Sequence, residues 1–173
     1  MGMAIITGGP GAVTLGPADR AASVAAVKAE LRAGLAEDDA LIAALADSAI
    51  GLAEQVTGQV LIAREVAADM PAGAAWQMLP AMPVRAIQAA PDMTIDIDGE
   101  GRGWVRMAAE GRVVFTAGIA ADWGGLPAGL RQGVAMLAAH LFADRGATTP
   151  VPAAVTALWR PFRVMSLTPG LRA

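Results

Sequence analysis

Asp38-Asp39-Ala40-Leu41-Ile42-Ala43-Ala44-Leu45-Ala46-Asp47-Ser48-Ala49-Ile50-Gly51-Leu52-Ala53-Glu54-Gln55-Val56-Thr57-Gly58 is the most strongly periodic stretch of this 173-residue chain. Leu41, Ile42, Leu45, Ala49, Leu52, Ala53 and Val56 recur at helical spacing and make one apolar stripe. Asp38 or Asp39 is placed to cap the start, and Gly58 to stop the end. Burying four or five of the large side chains contributes about 1.5 to 3 kcal/mol each before chain entropy is counted. A core helix over residues 39–57 is the expectation.

Working outward, Ser23 can cap an earlier helix over about 23–34, with Val24, Val27, Leu31 and Leu35 on one face. Downstream, Pro127 opens a helix over about 127–145 whose stripe is Leu130, Val134, Leu137, Ala138 and Leu141. Pro150 and Pro152 introduce a short helix over about 152–160, which Pro161 terminates. Between residues 60 and 117 lie short β-prone runs separated by Pro, Gly and Asp; in one, Met93, Ile95 and Ile97 alternate with Thr94, Asp96 and Asp98. The fold expected is mainly α: a bundle of about four helices over 23–160 with a small antiparallel β insertion between the second and third long helices. Residues 1–22, rich in Gly and Pro, read as a flexible N-terminal arm, and 161–173 as a C-terminal tail.

Composition narrows the function classes. Hydrophobic residues are 55 % of the chain but aromatics only 4 %, which suits packed Ala, Leu, Val and Ile better than an aromatic ligand pocket. The net charge is -3, and the basic residues are scattered arginines with Lys28 the single lysine. No basic stripe exists for gripping phosphates. Cysteine is absent, which removes disulfides, thiolate metal sites and cysteine nucleophiles. The uncharged first residues are broken by glycine and proline and have no positive n-region, so neither a signal peptide nor a membrane span is expected, and a cytoplasmic origin is the default.

No catalytic, cofactor or metal residue emerges. Asp96-Ile97-Asp98-Gly99 lacks the acidic first and bidentate twelfth ligands of a calcium loop, because Thr94 and Val105 stand there. It reads as a tight turn between strands. The glycine groups at 8, 9, 11 and at 99, 101, 103 fit no phosphate-binding fingerprint and read as flexible loops. His140, the only histidine, has no evident partner group for acid-base work and reads as a packed or interface residue. Asp38 and Asp39 read as capping groups. Trp159, Arg160, Phe162, Arg163, Val164, Met165 and Leu167 have two readings: packing against the domain, or a partner-binding arm built of the Trp and Arg types that anchor interfaces.

Several motifs follow one another along the chain: Val27-Lys28-Ala29-Glu30-Leu31-Arg32, Asp38-Asp39-Ala40-Leu41-Ile42, Glu54, Thr57-Gly58 and Leu79-Pro80-Ala81-Met82-Pro83-Val84. After them come Val114-Phe115-Thr116-Ala117-Gly118, Leu130-Arg131-Gln132-Gly133-Val134, Ala138-Ala139-His140, Asp144-Arg145-Gly146 and Leu158-Trp159-Arg160-Pro161-Phe162-Arg163-Val164. In this order they resemble the head-tail connector (adaptor) proteins of tailed phages and gene transfer agents. The resemblance covers roughly residues 23–165. It implies a virion structural protein that assembles in the bacterial cytoplasm as a closed, twelvefold ring under the portal vertex. Such a ring extends the DNA channel, lets DNA pass without sequence-specific contact, and offers a docking surface to a stopper or tail-completion protein. It implies no enzyme, no cofactor and no membrane. The resemblance further implies that the C-terminal segment contacts the portal, through Trp159, Arg160, Phe162, Arg163 and Met165. The rival class is a small helical regulatory or DNA-binding protein without catalytic activity. Its recognition helix would be the one from Pro127, which offers only Arg131 and Gln132 before turning apolar.

Overall fold

Four helices and seven strands make up the described part of the chain. The computed structural model describes residues 4–32, 37–144 and 150–164. In chain order the elements are β1 (Ala4–Thr7), α1 (Pro17–Leu31), α2 (Asp39–Thr57), β2 (Arg64–Met70), β3 (Gly73–Met78), β4 (Val84–Ile87), β5 (Met93–Ile97), β6 (Gly103–Met107), β7 (Gly111–Ala117), α3 (Ala128–Ala143) and α4 (Ala153–Trp159). A 3₁₀ turn at Arg160–Phe162 follows α4.

The helices share one apolar core. Val27 of α1, Ile42, Ala46, Ala49, Ile50 and Ala53 of α2, Leu130, Val134, Leu137 and Ala138 of α3, and Val155 and Trp159 of α4 meet there. Alanine dominates the α2 contribution, which lets the helices approach closely. The strands form two antiparallel sheets, one ordered β1-β2-β7-β4 and the other β3-β6-β5. Their inward residues make a second core: Val66, Ala68 and Met70 of β2, Val113, Phe115 and Ala117 of β7, Val84 of β4 and Val105 of β6. Each of β2 and β7 alternates buried and more exposed residues over seven positions, the pattern of a sheet with one face covered.

This corrects the expectation of a mainly α bundle with a small β insertion. The β part carries its own core and spans two sheets, so the fold is α/β. Strands here are four to seven residues long and punctuated by Pro and Gly, and in the β1-β2-β7-β4 sheet their pairing is non-local. Register between β2 and β7, which are more than forty residues apart, leaves no local mark on the sequence.

Residues 4–16 also depart from the expected flexible arm. Ala4–Thr7 pair with Ala67–Asp69 of β2, and Leu15 is buried in the helical core. Helix α1 begins at Pro17, a favoured first-turn residue, rather than after Ser23. Ser23 is buried inside the helix, its hydroxyl donating to the Arg20 carbonyl at 2.9 Å.

The two cores join where residues 60–63 run beside 118–120. Ile119 N–H donates to the Val60 carbonyl (2.9 Å), Ala120 N–H to that of Leu61 (3.0 Å), and Ala63 N–H to that of Ala120 (2.8 Å). Gly118 sits here with no side chain because a Cβ would collide with the backbone of Ala63. We expect Gly118→Ala to lower the urea unfolding midpoint, by the few kcal/mol typical of a forced backbone shift, with both cores loosening in one transition.

Candidate docking surface

The C-terminal segment is positioned by α3 and by the end of α2. Pro152 precedes α4, whose Val155 and Trp159 are buried. The Trp159 indole lies over Gly133 of α3, where a Cβ would overlap the ring. Trp159 is only 2 % exposed, and its indole N–H has no partner among the described residues. Phe162 is half-buried, with its ring edge near Gly129. The Phe162 carbonyl accepts from Gln59 Nε2 at 2.5 Å, and Val164 N–H donates to the Thr57 carbonyl at 2.9 Å.

The five residues singled out in this segment therefore have different surroundings. Trp159 belongs to the domain core and Phe162 packs against it. Arg160 and Arg163 are exposed, and neither makes an ion pair among the described residues. Met165 lies outside the described residues. Up to Val164 the backbone is fixed to the C-terminal end of α2, presenting the two guanidinium groups outward from a rigid base.

That base depends on residues for which the sequence reading set no role. Glu54 of α2 is fully buried, and its carboxylate meets Arg64 of β2 in a two-pronged pair, Oε1 to Nη1 and Oε2 to Nη2, each at 2.7 Å. Oε2 also accepts from Gly11 N–H (2.7 Å) and Oε1 from Leu61 N–H (2.9 Å). Two further guanidinium hydrogens, on Nε and Nη2, go to the carbonyls of Gly8 and Gly9, both at 2.7 Å. Gly8 and Gly11 have positive φ (74° and 89°), the conformation that wraps this loop around the pair. The glycine group read as a flexible loop is thus the cradle of a buried ion pair. A signal for Glu54 was present, since it follows Ile42, Ala46 and Ile50 on the buried face of α2. A charge at such a position demands a partner.

The outer face of the β3-β6-β5 sheet is a second polar-aromatic surface. Arg106 stacks over the exposed Trp76 at 4.3 Å from the ring centroid, beside exposed Met78. At the β5–β6 turn, Asp98 Oδ1 accepts from the N–H groups of Glu100 and Arg102, each at 2.9 Å, while Oδ2 accepts from Trp104 Nε1 at 2.9 Å. These bonds, that of Trp104 first and Arg102 next, hold the Asp98 carboxyl below its ordinary value of 3.8. The segment is the strand turn expected in place of a calcium loop. His140 is half-buried, with Nδ1 3.5 Å from Asp144 Oδ2. Asp39 binds Lys28 Nζ at 2.6 Å, and Asp38 occupies the N-cap of α2 without a side-chain cap bond. Among the described residues no three His, Cys, Asp or Glu side chains cluster as metal ligands.

No protein-family model matches the sequence, and no curated protein does. Solved structures do. A chain in the neck of an empty gene transfer agent particle, determined with sixfold symmetry, superposes with a TM-score of 0.71 at 25 % identity, covering 98 % of this chain and 99 % of that one. This protein is similar to a neck component of gene transfer agent particles. A chain in the neck of a native particle, determined with twelvefold symmetry, gives a TM-score of 0.65 at 25 % identity with the same coverage. The fold recurs in the virion of a native particle, with a TM-score of 0.71 at 24 % identity. The likeness runs through both sheets and all four helices, not through the helical part alone.

Two outcomes test the geometry. Removing one partner of a buried, hydrogen-bonded ion pair costs about 3 to 5 kcal/mol, so Glu54→Ala and Arg64→Ala should each lower the denaturant midpoint sharply. The double variant should be much less than additive, measured by a double-mutant cycle. Because the Asp98 carboxyl titrates lower when folded, its contribution is complete above the unfolded value and is lost as pH falls through the lower folded one. The Trp104 indole N–H resonance should therefore move with a midpoint below pH 3.8. Asp98→Ala should displace it at neutral pH.

Proposed function

We propose that this chain is a structural, non-catalytic neck protein of a phage-like particle. In this reading it forms a closed ring beneath the portal, prolongs the DNA channel and gives the stopper or tail its docking surface. The observation that carries the reading is the near-complete, two-way coverage of a neck chain at 25 % identity and a TM-score of 0.71, a match too long to leave out either sheet or any of the four helices.

Contact with the portal falls to the C-terminal segment. Trp159 and Phe162 act from within, anchoring the segment to α3 and α2. Arg160 and Arg163 make the contact outside, joined by Met165 and the residues after it. An exposed guanidinium without an ion pair among the described residues has hydrogen-bonding capacity to offer the carboxylates of a partner. The weak charge of the rest of the chain suits a channel wall over which DNA passes without sequence-specific contact.

A contact through two exposed arginines is weak on its own, because exposed ion pairs contribute about 0 to 1 kcal/mol each. A portal ring presents many equivalent sites and concentrates neighbours on one another. The free chain is therefore expected to stay monomeric and to close into a ring only on its portal.

The test is negative-stain imaging of the purified chain mixed with its candidate portal. The intact chain should add a ring to the portal. The Arg160→Ala/Arg163→Ala double variant should retain its thermal midpoint, since both side chains are exposed, and lose the ring. Absence of added density with the intact chain would overturn the reading, and an undiminished ring with the double variant would remove the arginines from the contact.

A further inference from the structure

Helix α2 carries more apolar surface than its own domain covers. By length and composition it would suffice to cross a membrane, yet only 44 % of its apolar window is buried. Leu41 and Leu52 are each 39 % exposed and Val56 38 %. Leu45 is half-buried at the edge of the helical core. With Ser48 these residues fall within about 80° around the helix, at 100° per residue. They form a stripe beside the buried face rather than part of it. The sequence reading placed Leu41, Leu52 and Val56 in the core; the core takes Ile42, Ala46, Ile50 and the smaller alanines instead.

The stripe is also free of charge. The three carboxylates of α2 project from the opposite side, and each is matched inside the subunit: Asp39 by Lys28 (2.6 Å), Asp47 by Arg20 (3.0 Å) and Glu54 by Arg64 (2.7 Å). A surface of Leu, Leu, Ser, Leu and Val has nothing to offer phosphate or an acidic peptide. It matches the charge-depleted centre of a permanent protein interface.

We infer that this stripe, Leu41-Leu45-Ser48-Leu52-Val56, is the face by which one copy of the chain packs against the next around the ring. The inference rests on the neck reading above. What favours a second copy over other mates is the cyclic symmetry of the similar necks, determined with sixfold and twelvefold symmetry, in which every copy has two neighbours. A contact that closes a ring of more than two copies is heterologous, so the stripe of one copy meets a different face of the next. Five side chains fall short of the roughly 800 Å² per partner of a standard interface. The stripe is accordingly the centre of a contact that forms when the portal gathers copies.

The experiment uses assembled particles carrying the chain with a photo-activated cross-linking amino acid at position 48. Ser48 is exposed and its hydroxyl bonds only the Ala44 carbonyl of its own helix, at 2.8 Å, so the replacement leaves the core intact. Illumination should give a covalent product at twice the 17.5 kDa chain mass, with both peptides from this chain. Leu52→Asp should retain the monomer's thermal midpoint and lose incorporation into the neck. A cross-link only within one copy, to a different particle protein or to lipid would overturn the inference while leaving the neck reading standing. So would full incorporation of Leu52→Asp. Absence of the unmodified chain from purified necks would overturn the neck reading itself, and this inference with it.

Discussion

The pairing of Glu54 with Arg64 is the constraint on which the other parts of the structure depend. A carboxylate with no exposed surface sits on the core helix, and a guanidinium at the start of β2 answers it with two hydrogen bonds. Burial of either charge alone is prohibitive in a low-dielectric interior, so neither element can take its place without the other. Because both groups also bind the backbone of Gly8, Gly9, Gly11 and Leu61, the pair ties four segments together: the N-terminal loop, α2, the 60–63 connection and β2. The helical core and the sheet core are held in register at one polar point, surrounded by apolar contacts that have no directional preference of their own.

From that point the geometry of the exterior follows. With α2 fixed, Thr57 and Gln59 at its end bind the Val164 amide and the Phe162 carbonyl, and Trp159 seats over Gly133 of α3. The C-terminal segment leaves the domain from a rigid base, with Arg160 and Arg163 outward. The same helix pairs its three carboxylates with cations of its own subunit, Glu54 in the interior and Asp39 and Asp47 at the surface, and leaves its uncharged flank to solvent. A single helix thus anchors the core, supports the segment proposed to meet a portal and supplies the face assigned to the neighbouring copy.

Helical periodicity was readable from the residues. Leu130, Val134, Leu137 and Ala138 are buried where their spacing puts them, and Gly58 ends α2 with a left-handed φ of 72°. What the spacing did not reveal is which of two adjacent apolar faces of α2 points inward, because Leu41, Leu52 and Val56 look as core-like as Ile42 and Ile50. The choice is made by alanines that allow close helix approach and by Glu54, whose partner Arg64 stands in a different element. The extent of the sheets was under-read for a related reason: β1 comes from a Gly-rich start that has no strand signature beyond Ala4–Thr7, and it pairs with β2 some sixty residues on. Among the residues considered for docking, Trp159 is the clearest lesson. An aromatic next to a helix-breaking proline has the composition of an interface anchor, and only the missing side chain at Gly133 shows where the ring goes.

The central claim is that this chain resides in the neck of a phage-like particle. The absence of cysteine makes a direct measurement possible: a single Ala109→Cys substitution, at an exposed position in the turn between β6 and β7, labelled with gold and followed by electron microscopy of purified particles. Gold should be confined to the junction between head and tail, in several copies per particle. Gold on the capsid shell or the tail tip, or label found only in unassembled protein, would contradict it.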